Sequence, residues 1–116
     1  MAIEKMIKPP RLQPGDQIAT VSLSWGGPSV FPHRYQAGVR QLKDELDLQV
    51  VEMPNTLREA DWLAENPKAR ADDLMQAFAD PSIKGIFSTI GGHDSIRLLP
   101  FLDLDLIRNN PKVFLG

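Results

Sequence analysis

Residues 83–95 have the sequence IKGIFSTIGGHDS, in which a run of β-forming residues is followed by two glycines and the start of a helix. The run from Ile83 to Ile90 predicts a buried strand, and Gly91-Gly92 predicts a tight turn at its carboxyl end. Because glycine has no Cβ, backbone N–H groups in such a turn can approach a ligand closely. Beside a helix N-terminus, those N–H groups favour an anion or an oxyanion. A tight turn that binds no ligand is the alternative interpretation.

Strands and helices alternate on both sides of this turn. Asn66-Pro67 is typical of a helix start, with Asn66 as N-cap and Pro67 at the first helical position. We expect Asp72 and Asp73 on the solvated face of that helix. The predicted order is strand 17–23, helix 33–46, strand 48–53, helix 67–80, strand 83–90, short helix 96–99, a helix capped by Asp103, and a strand from Lys112. This alternation predicts a parallel sheet with helices on both faces, so we expect one α/β domain over residues 1–116, with a three-layer flavodoxin- or Rossmann-like fold.

Polar and aromatic residues follow two of the predicted strands. Binding groups in open parallel sheets collect at the carboxyl ends of the strands. Ser22, Ser24 and Trp25 after the first strand, and His93 and Asp94 after the third, are therefore candidates to line a cleft. Alternatively, the first segment is a polar loop with Trp25 packed as a lid on the core. We expect no triad here, because Asp94 directly follows His93 and a triad acid must hold the imidazole from the side away from the serine.

The composition excludes several classes of site and partner. The chain has 116 residues, a formal net charge of −2, two histidines and no cysteine. Disulfides and cysteine nucleophiles are therefore excluded, and the two distant histidines predict no metal site. The balanced charge gives no reason to expect nucleic acid or a membrane as partner. The first twelve residues lack the apolar run of a signal peptide, and no run approaches the roughly 20 apolar residues of a membrane helix, so we expect a cytoplasmic protein.

The glycine-containing segments do not match nucleotide-binding motifs. Neither Gly-x-Gly-x-x-Gly nor Gly-x-x-x-x-Gly-Lys-Ser/Thr occurs in the chain. Pro28, which follows Gly26-Gly27, has no N–H to donate to a phosphate. A nucleotide-binding module is thus the weakest of the functional interpretations.

Five segments together resemble a known family. They are LQPGD at 12–16, RADDLMQAFAD at 70–80, IGG at 90–92, RLLPFLD at 97–103 and KVFLG at 112–116. In order and spacing they resemble the N-terminal domain of LD-carboxypeptidases, also called muramoyltetrapeptide carboxypeptidases. The Gly-Gly-x-Asp-Ser form of the glycine turn is most similar to the microcin C immunity branch of that family.

The resemblance implies serine hydrolysis of an amide bond, without metal or cofactor. It implies that Gly116 matches the first glycine of a Gly-x-Ser-Asp nucleophile elbow, so the serine is expected two residues after Gly116 and no catalytic residue lies in this chain. Gly91 and Gly92 match the turn that contributes to the oxyanion hole. The partners of the serine are expected in a C-terminal domain that is absent here. We therefore expect the chain alone to be inactive, and the parent enzyme to act on a peptidoglycan LD-peptide or a peptidyl nucleotide.

Two further expectations concern the chain as a unit. A self-contained flavodoxin-like binding or regulatory domain without catalysis is the main alternative, because fold does not decide function. The apolar fourth strand, which includes Phe114 and Leu115, has no covering helix after it in this sequence. Exposed apolar surface and unpaired strand edges favour association, so we expect a homodimer.

Overall fold

The computed structural model describes residues 5–116, and its centre is a parallel four-stranded sheet. The strands are β1 (Gln17–Val21), β2 (Gln49–Glu52), β3 (Ile83–Ser88) and β4 (Val113–Leu115). Their order across the sheet is β2-β1-β3-β4, and all three neighbouring pairs are parallel. This arrangement confirms the predicted α/β fold. The order reverses between β1 and β3, which creates a crevice at their carboxyl ends.

Five α-helices and one 3-10 helix connect the strands in the described part of the chain. They are α1 (Gly27–Val30), α2 (Pro32–Leu46), α3 (Ala60–Glu65), α4 (Pro67–Ala79), the 3-10 helix (Asp94–Phe101) and α5 (Leu104–Asn109). The Asp103 carboxylate accepts a hydrogen bond from the Leu106 N–H, so the predicted cap of α5 is confirmed. The sequence did not predict α1 or α3.

Three strands are shorter than predicted, because pairing ends early. The pair Val21↔Ser88 is the last between β1 and β3. Beyond it, the Ser88 hydroxyl donates to the carbonyl of Ile90, and the chain turns away from the sheet. Residues 22–23, 53 and 89–90 therefore belong to loops, and these loops border the crevice.

The core lies between the sheet and α4. Ala19 and Val21 of β1 and Ile86 of β3 are fully buried there against Leu74 and Phe78 of α4. Lys112, just before β4, anchors that strand to the end of α4, because its ammonium donates to the carbonyls of Ala77 (2.7 Å) and Asp80.

The opposite face of the sheet carries α2. Side chains alternate along a strand, so Thr20 points away from the core that Ala19 and Val21 face. The Thr20 hydroxyl hydrogen-bonds the Tyr35 hydroxyl of α2 at 2.9 Å, and the Tyr35 hydroxyl donates to Glu52 of β2 at 3.1 Å. The domain thus has three layers, with helices on both faces of the sheet.

Near α4, one prediction is wrong, and a second is confirmed for the position of the residue but not for its side-chain bond. Asp73 is buried rather than solvated, because its carboxylate accepts hydrogen bonds from the backbone N–H and the amide of Asn55, both at 2.9 Å. Burial raises the pKa of Asp73, and the hydrogen bonds from Asn55 only partly oppose that rise. Asn66 occupies the N-cap position, but its amide donates to the carbonyl of Trp62 at 2.7 Å instead of capping α4.

Candidate functional site

The loops that follow β1 and β3 meet at the crevice between these strands. The Thr89 N–H donates to the carbonyl of Val21 at 2.9 Å, which continues the strand pairing by one bond. The Ser22 hydroxyl donates to the carbonyl of Thr56 at 2.7 Å and lies 3.0 Å from the Thr89 hydroxyl. Ser22 is buried, so its hydroxyl holds three loops together rather than presenting a free oxygen to a ligand.

The glycine turn fits closely against the loop after β1. Gly92 has a φ of 153°, a backbone conformation that residues with a side chain rarely adopt. A Cβ at Gly92 would lie 2.4 Å from Ser24 Oγ, so the approach of these two residues requires glycine. At Gly91, by contrast, a Cβ would meet no atom within 4 Å. Of the two glycines, Gly92 is therefore the one whose backbone angle and surroundings require glycine.

Ser24 joins this turn to the 3-10 helix. Its hydroxyl accepts a hydrogen bond from the Asp94 N–H at 3.1 Å, and the side chain is buried. Three residues singled out in the sequence, Ser24, Gly92 and Asp94, thus lie in contact with one another. Gly91, Gly92 and His93 are exposed beside them, so the backbone of the turn is open to a ligand.

Asp94 carries the negative charge of this region. Its carboxylate accepts from Arg70 at 2.6 Å and from Arg97 at 3.3 Å. Burial opposes the charge on Asp94, but the hydrogen bonds and positive charges of Arg70 and Arg97 outweigh it and hold the pKa of Asp94 below its ordinary value. The carboxylate is therefore a fixed anion bound by two cations, and among the described residues it makes no hydrogen bond with His93 of the kind that a triad acid makes.

Arg70 joins two loops of the candidate site, although the sequence pattern did not single it out. Its side chain is fully buried, and besides Asp94 it donates to the carbonyl of Leu23 at 2.8 Å. A usable signal was present, because Arg70 lies four residues before Leu74 and eight before Phe78, on the apolar side of α4. An arginine on the buried stripe of a helix requires internal partners, since an unpaired buried charge is costly.

Trp25 and His93 lie at the surface of the site. Trp25 is 39% exposed and packs edge-on against Phe31, with ring centroids 6.3 Å apart, so it is not a lid on the core. His93 is exposed and occupies the N-cap position of the 3-10 helix without a side-chain capping bond. Gly26, which follows Trp25, approaches α3 closely, because a Cβ there would lie 2.7 Å from the Ala60 nitrogen. That contact holds the loop that carries Trp25.

Residues 5–116 contain neither a metal-ligating cluster nor a membrane-spanning helix. Within this range no group of three or more His, Cys, Asp or Glu side chains converges on a point. Nor does any described helix have the length and apolar character needed to cross a bilayer. The candidate site consists of backbone groups, hydroxyls and an ion pair between the buried Arg70 side chain and the partly exposed Asp94 carboxylate.

The chain is similar to several carboxypeptidase-like proteins. A Vibrio cholerae protein named as a candidate carboxypeptidase is 33% identical over 88% of this chain, which spans 30% of that protein. A Streptomyces coelicolor protein with the same kind of name is 36% identical over 98% of this chain, which spans 37% of its length. The chain thus spans about a third of the length of the relatives it matches.

Solved structures show the same likeness. The microcin C7 self-immunity protein MccF, in complex with aspartyl sulfamoyl adenosine, is 32% identical and superimposes with a TM-score of 0.85 over 97% of this chain and 33% of its own. An MccF-like protein from Streptococcus pneumoniae, in complex with AMP, is 39% identical with a TM-score of 0.77 over 87% of this chain and 31% of its own.

A family model supports the same assignment. The model of the LD-carboxypeptidase N-terminal domain, Peptidase_S66, matches residues 18–116 and so covers most of the chain, including β1, the glycine turn and β4. Four of the five segments that carry the resemblance, from 70–80 to 112–116, lie within the matched residues, whereas LQPGD at 12–16 precedes them. The chain therefore belongs to the LD-carboxypeptidase family and corresponds to the N-terminal domain of that family.

Proposed function

We propose that this chain is the N-terminal domain of a serine carboxypeptidase that hydrolyses an amide bond of a peptidoglycan LD-peptide or of a peptidyl nucleotide. The observation that supports this most is the turn at Gly92, whose backbone is fixed against Ser24 at the carboxyl end of β3. The neighbouring strand β4 pairs with β3 in the register Phe87↔Leu115. A serine two residues after Gly116 would therefore project from the same edge of the sheet as the glycine turn.

This placement suits acyl transfer. A strand that leads into a sharp turn and a helix is the usual setting of a serine nucleophile in α/β hydrolases. The serine oxygen would attack the amide carbonyl carbon while a base takes its proton, and the oxygen of the tetrahedral intermediate would accept hydrogen bonds from N–H groups of the turn at Gly91 and Gly92. The base would return the proton to the leaving amine, and water would then hydrolyse the acyl-enzyme.

The residues of the candidate site determine which catalytic groups we assign to this chain and which to a second domain. The described residues of the site form a turn and an ion pair, and the carboxylate of Asp94 is bound by Arg70 and Arg97 rather than by His93. We therefore assign the base and its acidic partner to a second domain, and we propose that the 116-residue chain alone has no carboxypeptidase activity. The names of two relatives support the two substrate classes, since one is named as a microcin immunity protein and a Bacillus subtilis relative is named for murein peptides.

The test compares glycine variants in the whole protein, with the residues that follow Gly116. Gly92→Ala should lower kcat about 10- to 100-fold and change KM little, because displaced oxyanion donors act mainly on the transition state. Gly91→Ala is the matched variant and should cost less, since a Cβ there meets no atom within 4 Å. Both are assayed on an LD-linked tetrapeptide and on a peptidyl nucleotide.

The isolated 116-residue chain is assayed in parallel on the same substrates. Loss of the nucleophile and base costs several orders of magnitude in rate, so no turnover is expected. Turnover by the isolated chain that a substitution within residues 1–116 abolishes would contradict the proposal, as would equal kinetics for Gly92→Ala and the unsubstituted whole protein.

A further inference from the structure

The buried guanidinium of Arg70 connects the two loops of the candidate site. One terminal nitrogen donates to the Leu23 carbonyl after β1, at 2.8 Å. The other donates to the Asp94 carboxylate after the glycine turn, at 2.6 Å. Leu23 and Asp94 are far apart in the chain, and Arg70 belongs to a third element, the first turns of α4. A single rigid group therefore sets the distance between the loop after β1 and the loop after β3.

The same two loops touch directly at the glycine turn. Ser24, which follows Leu23, accepts a hydrogen bond from the Asp94 N–H at 3.1 Å. Ser24 Oγ also lies so close to Gly92 that a Cβ there would be only 2.4 Å away. Arg70, Leu23, Ser24, Gly92 and Asp94 thus form a closed ring of contacts, and the position of the glycine turn depends on every member.

Burying the guanidinium of Arg70 costs free energy. The fixed geometry of its planar fork explains why an arginine occupies this position. A buried ion pair is weak support for stability, since desolvation offsets most of its Coulombic gain. The Nε of Arg70 has no hydrogen-bond partner among the described residues, although the side chain is fully buried. The guanidinium is therefore not arranged to satisfy all its own donors. Its planar fork instead holds two acceptors at a fixed separation, which an ammonium cannot do.

We propose that Arg70 is a positioning residue for the oxyanion turn, acting through Asp94 and Leu23. This rests on the proposed function. Arg70 does not touch the substrate; it holds the carboxyl side of the turn at Asp94 and the loop that supports Gly92. Arg97 adds a second, exposed contact to the same carboxylate and also donates to the carbonyl of Ala64 at 2.8 Å, which braces Asp94 from the solvent side.

The experiment uses Arg70→Lys in the whole protein. Lysine keeps the charge but cannot bond Leu23 and Asp94 with the same geometry. We expect kcat to fall about 10- to 100-fold with KM within about threefold, because a misplacement of about 1 Å in a catalytic group can cost about 100-fold. Hydrogen exchange of a peptide spanning residues 89–97 should become faster. Both kcat and the exchange rates are measured well below the unfolding temperature of each variant, so that loss of folded protein does not change either value.

Variants of Asp94 and Lys68 complete the set. Asp94→Asn keeps one acceptor for Arg70 and should retain more activity than Asp94→Ala, which keeps none. This order of activities tests the positioning role even if Arg70→Lys does not fold. Lys68 lies on the same helix in an exposed pair with Asp72 at 3.0 Å, and Lys68→Ala should leave kcat and exchange unchanged, since exposed ion pairs contribute little.

The outcomes separate this proposal from the proposed function. An inactive unsubstituted whole protein would refute the carboxypeptidase assignment, and the exchange of residues 89–97 would still decide whether Arg70 positions the turn. Faster exchange with unchanged kcat would overturn the positioning role and leave Arg70 as a structural residue. Unchanged exchange in both Arg70→Lys and Asp94→Ala would overturn it as well.

Discussion

On one face of the sheet, α4 buries six of its 13 residues, whereas on the opposite face α2 buries none of its 15. Both helices run beside a sheet of the same four strands, so the difference lies in what fills the space between. The α4 face has a continuous core that reaches the 3-10 helix and α5. The α2 face instead has an open, largely apolar groove of about 820 Å³ between α2 and the sheet, lined by residues that include Val39, Leu42, Phe87, Ile90 and Leu115.

The contrast indicates that the two faces have different roles. Parallel sheets are normally covered on both faces, and here the larger buried core lies on the α4 face. Exposed apolar patches of several hundred Å² mark interaction surfaces. Leu115, which lines the groove, is 58% exposed, whereas Phe114, 47% exposed, stacks against Phe78 on the α4 face. Stability should therefore depend on the α4 face, and association on the α2 face.

The largest expected effect is a difference in stability between two leucines. Leu74 of α4 is 6% exposed and Leu46 of α2 is 56% exposed. Leu74→Ala should lower the free energy of unfolding by about 3 kcal/mol, and Leu46→Ala by about 0.5 kcal/mol or less. Urea unfolding of both variants measures the difference. Equal losses would show that α2 is packed as tightly as α4.

The next effect concerns self-association through the groove. We expect the 116-residue chain to dimerise at micromolar concentration, and Leu115→Asp should weaken the dimer at least about tenfold, or about 1.4 kcal/mol, by placing a charge in the apolar groove. Leu104→Asp is the matched control, because Leu104 is also exposed (67%) but does not line the groove. Sedimentation velocity distinguishes the cases. A monomeric unsubstituted chain, or equal weakening by both variants, would remove the groove as the interface.

The smallest expected effect concerns the hydrogen bonds that join Tyr35 of α2 to Thr20 and Glu52 of the sheet. Tyr35→Phe should cost about 1 kcal/mol, the usual contribution of a hydrogen bond. Burial, together with the neighbouring Glu52, raises the pKa of Tyr35 to about 12 despite an opposing hydrogen bond from Thr20. In the unfolded chain the pKa of Tyr35 is 10.0, so the folded chain keeps the phenolic proton at a pH where the unfolded chain loses it. The stabilisation that comes from the raised pKa of Tyr35 is fully present below about pH 10 and is lost as the pH rises through about 12.

Tyr35 is the single tyrosine of the chain, so its ionisation can be followed directly by ultraviolet absorbance. The cost of Tyr35→Phe, measured by unfolding at several pH values, should shrink above about pH 10. A tyrosine that titrates near its ordinary value would show that α2 does not shield it, and that the contacts with Thr20 and Glu52 do not persist in solution.

Repeating local patterns in the sequence predicted most of the fold. The four strands, α2 and α4 have apolar residues at regular spacing over enough positions to be recognised. The helices α1 and α3, with four and six residues, are too short for such a period. The special backbone of the glycine turn was also predictable, because Gly91-Gly92 follows a strand and few other residues can adopt a φ such as that of Gly92.

The buried polar contacts could not be predicted in the same way. Asp73 has the pattern of a solvent-facing residue, but its partner Asn55 comes from the loop after β2. Arg70 likewise binds Leu23 and Asp94, which precede and follow it by many residues. Such contacts depend on how separate segments meet in space, and local spacing carries no information about that. The residues that hold the site together were therefore harder to identify than those that form its backbone.

The central place of β1 also constrains the order in which the sheet can form. β1 comes first along the chain but pairs on both sides, with β2 from Gln49 onward and with β3 from Ile83 onward. During synthesis one edge of β1 therefore stays open until the chain through Ser88 has emerged. Pairing over such a separation is slow relative to local helix formation, and an unpaired strand edge can meet wrong partners meanwhile. Of the four strands, β1 is thus the one that waits longest for its second neighbour.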